Sequence, residues 1–336
     1  MQVDPIAAFD VQQGDDGAKS TEKLRGGPIS GVEIMRQPVS TIIRSGLLAA
    51  TAAVALGVAP AAAQEADRGE LNRLLKLNND GNYAEAYDGL RQLLLRADAD
   101  SAVMRPALET ALSCLQQLNR TEEIDAFREA AVAAHPRDWQ LLSAVGQSYV
   151  EVMHVGTMIG GEFRRGPHRG EGIVVHATER DRVRALQLFV RAMQAADAAA
   201  DKNEPAEMLQ RFAGALSFAS QGLQAWRLQS LTDLEKLPDY EEGWGYSGGQ
   251  PQGAPVDAEG NPVFYGLPNS WADAKNDGQR WRWVLKRMID WAPARRIDEI
   301  MSRAEFLRSQ FGVETLAQFG IWLPVAADVS SAGEST

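Results

Sequence analysis

From Leu71 onward the apolar residues recur at the three-and-four spacing of an amphipathic helix. Leu71, Leu74 and Leu75, a break at Gly81-Asn82, then Tyr83, Ala86, Leu90, Leu93 and Leu94 read as helix, tight turn, helix. Gly81 supplies permissive backbone between the two, Tyr83 packs into the pair, and Ala86 lets the helices approach closely. A second copy runs through Leu108, Ala111, Leu112 and Leu115, then Asn119-Arg120-Thr121-Glu122-Glu123-Ile124, then Phe127, Ala130 and Ala131. Asn119 stands where Gly81 stood, 38 residues further on, against about 34 for regular tetratricopeptide hairpins. Pro136 closes this copy, and Trp139, Leu142 and Tyr149 open a third. Its second helix is delayed to Glu179–Leu188, with Ala185 as the counterpart of Ala86. The delay implies an insertion of 23 residues at 156–178. A single helical hairpin cannot bury its apolar face and therefore stacks on the next. The expected fold is mainly α: irregular tetratricopeptide-like hairpins over residues 68–237, with a small β-hairpin insertion. A non-repeating helical bundle is the competing architecture.

The run from Gly160 to Arg182, GGEFRRGPHRGEGIVVHATERDR, concentrates cations and histidines. Arg164, Arg165, His168 and Arg169 form a candidate partner-contact loop. A phosphate site would need a Lys-Ser/Thr pair opening a helix, which the run lacks. His154, His168 and His176 sit 14 and 8 residues apart, a spacing that fits no metal-ligand motif. The plainer reading is a structural hairpin whose arginines pair with carboxylates such as Glu162, Glu171, Glu179 and Asp181.

After Leu237 the composition shifts, and 238–320 reads as a Trp-rich helical part. Tyr240 to Gly249 is a Gly/aromatic loop, residues 255–265 read as a β-hairpin around Glu259-Gly260-Asn261, and Asp277-Gly278 are placed to cap a helix carrying Trp281, Leu285 and Met288. Four of the eight tryptophans lie between Trp271 and Trp291. Flat indoles invite a carbohydrate platform, and Asp257, Glu259, Asp273 and Asp277 invite glycosidase acids. A helical stripe of Trp281, Leu285 and Met288 points instead to a packed core.

The start of the chain reads as a targeting segment. From Met35, Arg36 and Arg44 precede an apolar run from Leu47 to Ala59, then Pro60 and the small residues Ala61, Ala62 and Ala63. That is a secretory signal peptide over 35–63, cut between Ala63 and Gln64, and too short to span a bilayer. Residues 1–34 are polar and aperiodic, so Met35 is the expected initiator and the upstream stretch a mis-called extension or disordered. Residues 321–336 read as a disordered tail. The chain is exported in this reading, to a periplasm or the exterior. Its formal net charge of −11 argues against nucleic acid and anionic membrane surfaces as partners. Cys114 is the lone cysteine, which excludes an intrachain disulfide and a Cys-based zinc site.

Four segments together resemble a known family: Glu162 to Gly170, Glu179 to Leu188, Pro255 to Val263, and Asp277 to Trp283. Over approximately residues 68–318 the chain is similar to the N-terminal region of large bacterial alpha-2-macroglobulin-like proteins of the planctomycete type. The resemblance implies a helical preamble to a series of β-sandwich domains, in exported proteins that trap proteases or defend the envelope. This chain stops at Thr336 before any such array and has neither a Cys-Gly-Glu-Gln thioester nor a bait region, so trapping does not carry over. A truncated or frameshifted gene product is the expected explanation. No nucleophilic elbow or zinc-protease motif is present. The expected function is a non-catalytic protein-interaction module without cofactor or metal, contacting a protein partner or downstream macroglobulin-like domains. An independent periplasmic scaffold binding a protein or peptide, and a Trp-rich glycan-binding protein, are the alternatives.

Overall fold

The computed structural model describes residues 61–217, 228–244, 257, 259, 261 and 263–311. The expected extension 1–34, most of the signal peptide and the tail 321–336 lie outside them. The protein is mainly helical with one small antiparallel sheet. Helices α1 (Ala61–Asn79) and α2 (Tyr83–Leu95) form the first hairpin, and α3 (Ser101–Gln117) and α4 (Ile124–Ala134) the second. Then come α5 (Trp139–Glu151), strands β1 (Val155–Ile159), β2 (Glu162–Arg165) and β3 (Ile173–His176), and α6 (Thr178–Ala196). Helix α7 (Asn203–Ser217), strand β4 (Glu241–Glu242), α8 (Asp277–Trp291) and α9 (Arg296–Phe311) follow. No helix among the described residues is long and apolar enough to cross a membrane.

The two turns that the sequence equates are built alike. Asn82 N–H donates to Leu77 O and Gly81 N–H to Asn78 O; Arg120 N–H donates to Leu115 O and Asn119 N–H to Gln116 O. Each is the pair of bonds that closes a helix through a left-handed residue. Gly81 has φ +84°, and Asn119, at +55°, is the one non-glycine residue with positive φ among those described. Helix starts are equally explicit. Asp100, Asp138 and Asn276 accept from the amides of Ala102, Leu141 and Gln279, each bond contributing about 1 kcal/mol. The expected cap Asp277 is corrected to Asn276: Asp277 is the first helical residue and is wholly buried.

The first helices of successive hairpins lie side by side, α1 on α3, α3 on α5 and α5 on α7. Behind them α2 covers α1, α6 covers α5 and α8 covers α7. Gly146 permits the close α5–α6 approach, since a Cβ there would lie 3.3 Å from the Ala185 carbonyl oxygen. The core continues through Phe189 stacked on Phe212 at 5.4 Å, with Trp271 against Phe212 at 5.2 Å.

The sheet has the order β2-β1-β3-β4 and is antiparallel throughout. Gly160 and Gly161, both at positive φ, make the two-residue turn between β1 and β2. The sheet thus occupies the insertion between α5 and α6. Of the β-hairpin expected at 255–265, residues 255, 256, 258, 260 and 262 lie outside the described set, and none of the rest is in a strand. There Asp257 instead accepts from the amides of Glu259 and Asn261, the bonds of a side-chain-closed turn.

Candidate interaction site

The insertion is anchored by a buried ionic seam between α4 and α6. Arg165, at the end of β2, is 4% exposed and grips Asp181 of α6 through two bonds of 2.8 and 2.9 Å. Its Nε donates to Asp125 of α4 at 3.0 Å, and its Nη1 also donates to the Met153 carbonyl at 2.7 Å. His154 Nδ1 lies 2.7 Å from Asp181 Oδ2. Burial alone would push the Arg165 guanidinium down, but Asp181 and Asp125 outweigh it and hold its pKa above the usual range. Next to it Arg128, 2% exposed, donates to the Ser148 carbonyl at 2.8 Å and covers the Tyr149 ring at 4.4 Å. The Tyr149 hydroxyl donates to Glu129, which also takes Arg184 of α6. A cleft of about 260 Å³ opens on these groups. Nearly every charge in it already has a partner of opposite sign, so the cleft is a fixed lattice rather than a receptor.

A second buried clamp lies further along. Arg182 donates to Asp277 at 2.9 Å, with exposures of 2% and 0%. Asp277 also accepts from the Thr232 amide and hydroxyl and from Arg280. Three of the segments that carry the resemblance therefore meet in space. The first supplies Arg165, the second Asp181 and Arg182, and the fourth Asp277 and Arg280. These residues hold the fold together.

For the contact loop this is a partial correction. Arg165 is inside, spent on Asp181 and Asp125, and is not available to a partner; Arg164, His168 and Arg169 are exposed. The histidines do not converge. His154 meets Asp181, His176 lies 3.4 Å from Glu241, and His168 is on the surface. Among the described residues no group of three His, Cys, Asp or Glu side chains is placed to hold a metal ion.

Where α3, α5 and α7 lie side by side, the pairing of polar side chains is different in kind. One depression of about 200 Å³ lies between α3, α4 and α5, and another of about 200 Å³ between α3, α5 and α7. Their polar side chains mostly pair along their own helices: Arg105 with Glu109 at 2.9 Å, Gln147 with Glu151 at 2.7 Å, Arg211 with Glu207 at 3.0 Å. Gln140 of α5 reaches Glu204 of α7 at 3.0 Å. Burial, and then the facing charge of Arg105, pull the Arg211 guanidinium below its usual pKa. Such exposed i,i+4 pairs contribute only about 0.3–0.5 kcal/mol, so a partner can displace them at little cost. The apolar floor, Leu108, Leu112 and Ile124, is buried beneath them.

The Trp-rich end is mostly occupied by its own neighbours. Trp281 is 5% exposed and packs on Phe306. Arg280 lies over Trp271, Arg287 over Trp283 and Trp291, and Lys202 over Trp291. Of the proposed acids, Asp277 is buried against Arg182, while Asp257 and Asp273 accept from nearby turn groups. No protein-family model matches this chain, and neither a curated protein nor a solved structure does.

Proposed function

We propose that the chain is a non-catalytic, exported interaction module that receives an extended segment of a protein partner along the α3–α5–α7 side. The observation carrying this reading is the contrast between its two polar surfaces. The seam holds cations in buried, bidentate bonds that are costly to break. Beside the two depressions Arg105 and Arg211 are held in partly exposed i,i+4 pairs, where exchange of one hydrogen bond for another is nearly free. The exposed Arg164, His168 and Arg169 are a secondary contact in this reading. The setting, the helical front of an alpha-2-macroglobulin-like protein, rests on the four sequence segments, and the partner is then a downstream domain or a separate protein. A freestanding scaffold uses the same groove. The glycan reading draws less support, because the indoles from Trp271 to Trp291 are faced by cations and rings of the chain itself.

Peptides selected against the full chain test the groove. Gln147→Trp fills the depression between α3 and α5, and is expected to weaken the selected peptides at least about tenfold, or 1.4 kcal/mol. Arg169→Ala is expected to leave them within about twofold. The opposite ranking would place the contact on the insertion and refute the groove. Export rests on the sequence from Met35 to Gln64, and the start of α1, which contains the expected cut, leaves room for it. Residues 61–66 are exposed or half-buried, and the first buried side chain is Asp67, tied to Arg96 and the Asp100 amide. A cut between Ala63 and Gln64 leaves that anchor whole. Intact-mass measurement of protein recovered from the native host is expected to give a chain starting at Gln64; a retained 35–63 segment would sink this part of the reading.

A further inference from the structure

Helix α9 is the one helix among the described residues that turns large apolar side chains outward. Ile297, Ile300 and Met301 are 71%, 48% and 52% exposed, and Ala304 continues the stripe. The other face is engaged: Glu299 takes Arg282 at 3.0 Å, and Phe306 packs on Trp281 and Tyr265. Single exposed apolar residues need no explanation, but a stripe at i, i+3, i+4 and i+7 marks a face suited to being covered. The charges beside it are sorted. At 3.6 residues per turn, Arg296 and Arg303 fall along one edge of the stripe, and Asp298 and Glu305 along the other. Each edge repeats after seven residues, as the stripe does from Ile297 to Ala304, which is the spacing that lets two helices run side by side. Arg296 and Glu305 are exposed, while Asp298 holds Arg295 at 3.3 Å and Arg303 holds Glu299 at 3.4 Å, in pairs partly open to solvent.

That sorting selects an occupant. A two-fold pair uses the same patch on both copies. If two α9 helices ran antiparallel, each edge would meet its own copy, arginine on arginine and carboxylate on carboxylate. If they run parallel, the basic edge of each meets the acidic edge of the other, on both sides of the stripe. Arg296 then faces Asp298 of the second copy, and Arg303 faces Glu305, each offset by about 3 Å along the axis. We propose that α9 is a self-association surface, through which two copies of this chain pair with their α9 helices parallel. Ile297, Ile300, Met301 and Ala304 of each copy close against the same residues of the other. One helix face is a small area, so the pair is a weak one in the micromolar range rather than an obligate dimer.

Sedimentation equilibrium of the full chain, from about 1 to 200 μM, tests the pairing. The average mass is expected to rise from one chain toward two and no further. Ile300→Asp is expected to weaken association at least about tenfold. Arg296→Glu and Asp298→Arg, each made alone, set like charges against one another twice per pair, and each is expected to weaken it about fivefold or more. The double variant Arg296→Glu/Asp298→Arg exchanges the two edges and is expected to return to within about twofold of the unsubstituted chain. Its recovery also shows that the single variants lost the contact and not the fold. In an antiparallel pair Arg296→Glu would instead strengthen association, by relieving arginine against arginine, and that result overturns the proposal. So does a chain that stays single over the whole range, association that Ile300→Asp leaves unchanged, growth beyond two copies, or a double variant no better than the single ones.

Discussion

Replacing Arg165 with methionine keeps a buried stem of similar length and removes the guanidinium. Asp181, itself 3% exposed, then loses two bonds of 2.8 and 2.9 Å, and Asp125 and the Met153 carbonyl lose a donor each. Breaking a buried pair from one side costs about 3–5 kcal/mol, because the remaining charge stays buried without its counter-ion. For a folded unit of this size, each kcal/mol lowers Tm by about 2–4 °C, so the expected drop is roughly 6–20 °C. Urea unfolding followed by far-ultraviolet circular dichroism measures the loss for Arg165→Met, Asp181→Asn and the double variant. The double variant should recover part of the loss, since a neutral amide replaces the stranded carboxylate. A loss under about 1 kcal/mol for Arg165→Met is what an exposed pair gives, and would refute the buried seam.

Two further outcomes follow from the caps and the carboxylates. Asn119→Ala is expected to destabilise by about 1 kcal/mol, because alanine resists φ +55°, whereas Asn119→Gly should be neutral or slightly stabilising; equal midpoints for both would refute the left-handed cap. Burial would raise the Glu129 pKa, but the bonds from Arg184 and Tyr149 outweigh it and hold the carboxyl below its ordinary 4.5. The unfolded chain then takes up this proton first, so the contribution of Glu129 is whole above pH 4.5 and is lost as pH falls through its lower folded value. Asp67 behaves in the same sense from 3.8, burial being outweighed by Arg96 and the Asp100 amide. Urea midpoints measured from about pH 6 down to about pH 3 should fall, and less steeply for Arg184→Met; parallel curves would remove Glu129 from the account.

The hairpins were legible because their signals are local. Gly81 and Asn119 are four-residue events, and the structure places both in the left-handed conformation that their sequence equivalence implied. The insertion between α5 and α6 was legible from a count, since Ala185 arrives late. What it contains was less so. Strand β4 is two residues long and exists because β3 offers it an edge, which no local pattern encodes. Asn276 and Asp277 are both good cap residues, and only the distant Arg182 decides which one turns inward. The seam left a trace that went unread: Arg182 shares a helical stripe with Ala185, Leu186 and Phe189, and Arg128 stands four residues after Ile124. A charge on an apolar stripe announces a buried partner, but Asp277 lies 95 residues away from Arg182 and cannot be named from sequence.

Stacked-hairpin proteins commonly unravel from their ends, because each unit leans only on its neighbours through apolar surface that tolerates partial loss. The Arg165–Asp181 and Arg182–Asp277 bonds change that bargain in the middle of this one. Unstacking α4 from α6, or α6 from α8, strands a carboxylate or a guanidinium in the interior, so there is no gentle half-open state on the way. The segment from α4 to α8 is thereby made to melt as a block.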